Sequence, residues 1–236
     1  MSHAAATVLP LGAVPKAEDE NVWTVVVAGG SGSRFGTAKQ YEMIGGRRML
    51  DLSVRTAQSS SNGVVVVLRA ADVNGEQDLA SIVVAGGATR SDSVRAGLAA
   101  VPQSATIVCV HDAARPFASD ASFVAVIAAV AAGADGAIPG VPVTDTIKVI
   151  DDQNIVVDTL RRDRLVAVQT PQAFRASVLR AAHAGGGDGT DDAALVEAVG
   201  GRVVVVAGDA DNRKITHPDD LVWARAKANA SRSGRS

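Results

Sequence analysis

The stretch Val25–Tyr41, VVVAGGSGSRFGTAKQY, opens as an apolar β-branched run, breaks into glycines and closes on Arg34 and Lys39. A strand that opens into a glycine turn and then a helix aims backbone N–H groups at one point, which suits phosphate. Two familiar cradles do not fit. The dinucleotide fingerprint requires G-x-G-x-x-G, and Gly30-Ser31-Gly32-Ser33-Arg34-Phe35 puts Phe35 where the third glycine belongs. The P-loop string G-x-x-x-x-G-K-[ST] does not occur. What remains is a glycine loop with an Arg and a Lys close behind it. Such a loop neutralises a highly charged group such as a triphosphate while its amides fix the geometry. A plain tight turn explains Gly30 and Gly32 but gives no reason for two cations beside them.

A second group of chemically useful residues lies in VCVHDAARPF, Val108–Phe117. Asp112 falls just beyond the end of an apolar run, and in open α/β sheets the carboxyl ends of strands are where ligands bind. Mg²⁺ uses one or two carboxylates together with substrate phosphate oxygens, so Asp112 is a plausible anchor for it. Arg115 faces the same mouth and is a candidate for a second phosphate; the Arg-Pro-Phe that follows makes a stiff exit. His111 reads as structural. No His/Ser/Asp or Cys/His constellation for nucleophilic catalysis stands out, so the chemistry on offer is the handling of anions.

These residues need a frame. Apolar runs at Thr24–Gly30, Gly63–Arg69, Ser81–Gly87, Ala105–Asp112, Gly136–Val143 and Arg202–Gly208 read as strands. Helical patterns at Met49–Gln58, Asp92–Ala100, Ala121–Ala132, Phe174–Ala184, Asp191–Val199 and Pro218–Ala228 alternate with them. That alternation predicts an α/β sandwich with helices on both faces of a mostly parallel sheet. DTIKVIDDQNIVVDTLRR breaks the rhythm with two short β-like runs around DDQN, a hairpin whose pattern fits a projecting arm for dimer contact and an ordinary surface hairpin equally. Ser91 reads as the cap of the helix in GGATRSDSVRAGL, and Thr190 as the cap of the helix in GTDDAALVEAVGG, with Asp191 and Asp192 at the positive end of its dipole.

The chain has 236 residues, of which 47% are hydrophobic and only 3% aromatic, so Val, Ala, Leu and Ile must fill the core. A net charge of −2 argues against a general nucleic-acid binder. One cysteine, Cys109, excludes an internal disulfide and points to the reducing cytoplasm. No apolar stretch approaches the roughly 20 residues of a membrane span. Residues 1–20 read as a mobile leader, 21–230 as one domain with the hairpin arm at about 143–163, and 231–236 as a disordered tail.

AGGSGSRFGTAKQY resembles the A-A-G-x-G-x-R…P-K-Q-Y signature of the cytidylyltransferases that make 4-diphosphocytidyl-2-C-methylerythritol in the non-mevalonate isoprenoid pathway. GGATRSDSVRAGL, VHDAARPF, PVTDTIK, QTPQAF, TDDAALVE and DNRKIT follow in that family's order, so the likeness extends from Val22 to Leu221. Ala38 replaces the family's proline before Lys-Gln-Tyr, and Ala88 stands where some members carry an acidic residue.

The resemblance implies a Rossmann-like nucleotidyltransferase fold and transfer of CMP from CTP to 2-C-methyl-D-erythritol 4-phosphate, releasing pyrophosphate. It implies Lys39, Lys214 and Arg34 as catalytic groups. Ala28, Gly29, Gly30, Gly32, Gly86, Ser93 and Ala113 would bind the nucleotide, with Ser93 reading the cytosine edge. Asp112 and Asp211 would hold Mg²⁺, with Asp209 a rival for the second position. Arg115 and Thr190 would bind the second substrate. Thr146 and Arg162, with Asp145 beside them on the arm, would reach the pocket of a second subunit in a homodimer; Arg161 and Arg164 compete with Arg162 for that role. Rival readings are a ribitol 5-phosphate cytidylyltransferase using the same loops, a non-catalytic nucleotide-binding regulator, and a dinucleotide oxidoreductase, which Phe35 already disfavours.

Overall fold

The computed structural model describes residues 20–30 and 38–233. The chain runs β1 (Val22–Val27), β2 (Met43–Ile44), β3 (Arg47–Arg48), α1 (Met49–Ser60), β4 (Gly63–Leu68), β5 (Ile82–Ala85), α2 (Arg90–Ala100), β6 (Ile107–Asp112) and α3 (Asp120–Ala131). It continues through β7 (Gly136–Pro142), β8 (Lys148–Ile150), β9 (Val156–Thr159), β10 (Val166–Val168), β11 (Gln172–Arg175), α4 (Ala176–Ala184), α5 (Asp192–Ala198), β12 (Val203–Ala207) and α6 (Pro218–Ser233).

The central sheet has eight strands among the described residues. β5, β4, β1 and β6 run parallel, as do β7 and β12, while β11 lies antiparallel between β6 and β7. β10 continues that antiparallel line along the upper half of β7. Because side chains alternate along a strand, the valine runs serve both layers. Val26, Val66 and Cys109 face α1 and α3 with Leu50, Val54 and Phe123. Val25, Val65, Val67 and Val108 face α2, α4 and α5 with Val94, Leu98 and Leu179. Strands buried on both faces read as continuous apolar runs, which is why the mostly parallel α/β sandwich was readable. Gly97 brings α2 close to the sheet: a Cβ there would lie 2.4 Å from Val25 Cγ1.

β1 neighbours β4 on one side and β6 on the other, so the chain order reverses there. The carboxyl ends of these strands release Ala28–Gly30, Gly86–Gly87 and Asp112–Ala113 at one edge of the sheet. Beyond β7, β8 and β9 pair as the arm. Its turn runs through Asp151–Asn154, where Asp151 Oδ1 accepts from the backbone N–H groups of Gln153 and Ile155 at 2.9 Å.

Several expectations are corrected. Phe174 does not begin a helix; it is the third residue of β11, and α4 follows at Ala176 without a loop. α2 starts at Arg90 and its cap is Thr89, whose hydroxyl accepts from Asp92 N–H while the Asp92 carboxylate accepts from Thr89 N–H. Ser91 lies inside the helix. Asp191, not Thr190, caps α5, with Oδ1 accepting from Ala194 N–H at 2.9 Å. The tail expected to be disordered from 231 continues as α6 to Ser233. The leader up to residue 19, and residues 234–236, lie outside the described residues.

Candidate functional site

A cleft of about 390 Å³ opens where β1 and β6 end. Ala28, Gly29 and Gly30 line it from β1, Asp112 and Ala113 from β6, and Lys39 and Lys214 close over it from later loops. Gly32 and Arg34 lie outside the described residues.

The local chemistry fixes each group. Ala28 N–H donates to Val67 O and Ala113 N–H to Val27 O, so the mouth extends the sheet ladder by one residue on each side. Lys39 rides on a short 3₁₀ turn, Lys39–Tyr41, and donates from Nζ to the Ile215 carbonyl at 2.7 Å. Ile215 N–H in turn donates to Ala114 O. Two lysines 175 positions apart in sequence are thereby held through neighbouring residues of one loop. Gly86 leaves room for the Ser93 hydroxyl, since a Cβ at 86 would lie 2.7 Å from Ser93 Oγ. Ser93 Oγ donates to Thr89 O at 3.0 Å, and Gly29 faces the same hydroxyl across the cleft.

Asp112 is the electrostatic centre. Its Oδ2 takes the Lys214 ammonium at 2.7 Å and its Oδ1 the Arg90 guanidinium at 3.2 Å. Burial alone would raise the pKa of this carboxyl, but Arg90 and Lys214 outweigh it and hold the group well below the usual carboxylate range. Its backbone N–H donates to Thr170 Oγ1 at 3.0 Å, and that hydroxyl lies 3.1 Å from His111 Nδ1. Burial pushes the His111 pKa down to about 4, with Asp112 opposing the shift, so the imidazole is neutral near pH 7 and its role is structural.

Arg90 was not singled out from the sequence. It stands on the cleft wall and also pairs with Asp192 at 2.8 Å. Burial works against its charge, yet Asp112 and Asp192 together raise its pKa above that of an ordinary guanidinium. The one local signal is an Arg three residues behind the Gly86-Gly87 pair, which does not show what the Arg meets.

Other candidates lie elsewhere. Arg115 does not line the cleft; its guanidinium donates to the carbonyls of Asn212 at 2.7 Å and Val168 at 3.2 Å. Asp211 is exposed and gives Oδ2 to Lys227 on α6 at 2.6 Å, so the structure does not bring it to Asp112. Asp209 Oδ1 accepts from the Asp211 backbone N–H. Thr190 is exposed on the loop before α5. Asp145, Thr146 and Arg162 are exposed on the arm, where Arg162 donates to Thr144 O while Arg161 pairs with Asp163. None of these arm residues enters this chain's own cleft.

No cluster of three or more His, Cys, Asp or Glu side chains suited to a metal occurs among the described residues. The cleft instead offers one carboxylate, Asp112, amid cations. A single carboxylate suits an ion such as Mg²⁺, which completes its coordination with water and phosphate oxygens, once Lys214 or Arg90 releases one of the Asp112 oxygens.

A family model described as IspD, 2-C-methyl-D-erythritol 4-phosphate cytidylyltransferase, matches residues 22–229. The chain is 43% identical over 227 residues to the bifunctional enzyme IspD/IspF of Nitratidesulfovibrio vulgaris, covering 86% of this chain and 57% of that protein. It therefore spans little more than half the length of that relative. It is 44% identical over 216 residues to the 2-C-methyl-D-erythritol 4-phosphate cytidylyltransferase of Frankia casuarinae, covering 87% of this chain and 80% of that one. The crystal structure of 4-diphosphocytidyl-2C-methyl-D-erythritol synthase from Anaerococcus prevotii superposes with a TM-score of 0.79 at 29% identity, covering 90% of this chain and all 100% of the other. With a match that runs from the first residue of β1 into α6, the chain belongs to the 2-C-methyl-D-erythritol 4-phosphate cytidylyltransferase family.

Proposed function

We propose that this chain transfers CMP from CTP to 2-C-methyl-D-erythritol 4-phosphate, giving 4-diphosphocytidyl-2-C-methyl-D-erythritol and pyrophosphate. The observation that carries the reading is the cleft itself: Lys214 and Arg90 paired with the Asp112 carboxylate and Lys39 lining the same cleft at the strand ends, in a chain of this family. A phosphate oxygen of the second substrate forms a bond to the α-phosphorus of CTP as the bond from that phosphorus to the pyrophosphate oxygen breaks. A phosphate monoester loses its second proton with a pKa of about 6, so its oxygen is already ionised near neutral pH and no general base is required.

The barrier is the approach of one anion to another, so positioning and charge neutralisation supply most of the rate. Lys39 and Lys214 reach the reacting phosphorus and Arg34 the departing pyrophosphate. Gly29, Gly30 and Gly32 cradle phosphate through their amides, Ala28 lines the floor beneath them with its N–H committed to Val67 O, and Gly86, Ser93 and Ala113 hold the cytidine. Asp112 would hold Mg²⁺, which supplies neutralisation of phosphate charge when bound; Asp211 could join it only by leaving Lys227. Thr190 serves the second substrate, and Arg115 could join it only by leaving the Asn212 and Val168 carbonyls.

Thr146 and Arg162 act in the cleft of a second copy, in a homodimer formed through the arm. Support comes from the arm's surface, where Ile150, Ile155, Val156 and Val157 are 52–59% exposed. Contiguous exposed apolar residues mark contact surfaces. The double variant Ile155→Asp/Val157→Asp is expected to sediment as a monomer and lose turnover while still binding CTP. A dimer in that variant, with turnover intact, would refute the arm's role. The buried thiol of Cys109 suits work in the reducing cytoplasm. Among the described residues no helix is long and apolar enough to cross a membrane.

The function is tested by pyrophosphate release with CTP and Mg²⁺ against two acceptors. Release with methylerythritol 4-phosphate alone is the expected result. Release with ribitol 5-phosphate instead would reassign the acceptor, and release with neither would overturn the reaction.

A further inference from the structure

Arg90 owes its place to groups behind the cleft wall. Asp192, 1% exposed, presents Oδ2 to the guanidinium at 2.8 Å and Oδ1 to His183 Nε2 at 3.1 Å. His183 is itself buried, and its other ring nitrogen, Nδ1, has no partner among the described residues. Since a carboxylate oxygen only accepts, Nε2 carries the proton toward Asp192.

We propose that Asp192, backed by His183, is a positioning residue that holds the Arg90 guanidinium on the cleft wall, so that it meets Asp112 through Oδ1 alone and leaves Oδ2 to Lys214. A carboxylate in the first turn of a helix ordinarily stays in water and answers the dipole. This one is buried, and both of its oxygens are committed to side chains from other helices, Arg90 of α2 and His183 of α4. The guanidinium lies nearer to Asp192, at 2.8 Å, than to Asp112, at 3.2 Å. Guanidinium and carboxylate favour a two-pronged pair. Without Asp192, that pairing would draw Arg90 fully onto Asp112 and compete with Lys214 and with any ion for the same two oxygens.

The ties around this chain make it one unit. Thr89 Oγ1 donates to Asp188 Oδ1 at 3.1 Å, and Arg95 donates to Gly187 O at 2.9 Å, fastening the loop before α5 to the start of α2. Nucleotide-facing and loop-facing groups are thus held by the same helix end.

The inference rests on the reading that the cleft takes CTP, and its test reads equilibrium binding of CTP with Mg²⁺ by calorimetry. Asp192→Asn removes a negative charge near a polyanion site, so electrostatics alone would tighten CTP. Loss of positioning does the opposite, with an expected weakening of about 10-fold, in the usual range for coupling between linked groups. In an Arg90→Ala background the same substitution is expected to change affinity less than twofold, because Asp192 acts through Arg90. Tighter or unchanged binding in Asp192→Asn, or an equal loss in both backgrounds, overturns the proposal. His183→Ala keeps the ion pair and serves if Asp192→Asn does not fold; weakening of about 3-fold is expected from the lost hydrogen bond, and unchanged affinity overturns it. If the parent binds no CTP, the reading of the cleft falls and the inference with it. Parent binding without the predicted shifts sinks the inference alone.

Discussion

Lys214→Ala is expected to turn over roughly 10²–10³ times more slowly than the parent, as when one preorganised donor is removed from a site of developing charge. The Lys214 ammonium reaches Asp112 at 2.7 Å yet keeps 42% of its side chain exposed, so it faces both the carboxylate and whatever fills the cleft. A triphosphate already carries its charge in the ground state. What grows during transfer is charge on the leaving pyrophosphate and on the oxygens around the α-phosphorus, and a fixed cation there favours the transition state over the substrate. The loss should therefore appear in single-turnover rate far more than in affinity for CTP. Asp112 keeps Arg90 as a partner in the variant, so the carboxylate is not left buried and unpaired. A rate within fivefold of the parent would remove Lys214 from the chemistry.

Phe174→Ala is expected to cost about 3–5 kcal/mol of stability, the range for deleting a fully buried aromatic ring. The residue is 0% exposed and stands in β11, pairing with Val108 on one side and Gly136 on the other. Its ring lies over Gly136, where a Cβ would meet Cδ1 at 2.6 Å, so the sequence has traded a side chain on β7 for space. No neighbouring side chain can swing in from Gly136 to fill the void. Urea unfolding measures the loss; a change below about 1 kcal/mol would mean that the site collapses around the void, in the spread such substitutions show.

Phe174 also shows where sequence reading fails. β1, β4 and β6 announce themselves because burial on both faces makes each a run of valines. β11 is four residues, two of them Gln172 and Arg175, and it passes into α4 without a turn, so the helical pattern absorbs it. The cap of α2 is legible in its spacing, since Thr89 with Asp92 three residues on is a reciprocal capping pair, but Ser91 two positions later is also a good capping type. Within the cleft, Lys39 and Asp112 could be found because one comes after the glycine-rich stretch behind β1 and the other ends β6. Arg90 could not be placed by local pattern alone, since its meaning comes from Asp112 and Asp192, 22 and 102 positions away. Asp211 carried the right chemistry for a metal ligand, but only its position beside α6 shows that Lys227 occupies it.

Arg115 has a mechanical consequence. Its guanidinium bolts the Val168 carbonyl, at the end of β10 away from the arm, to the Asn212 carbonyl, two residues before Lys214. Asn212 Nδ2 also donates to Thr170 O at 2.8 Å, and Gln169 donates to the Asn212 carbonyl at 3.2 Å, so the joint is braced from two more directions. Through β10 and this joint, a strain on the arm reaches the loop that carries Lys214.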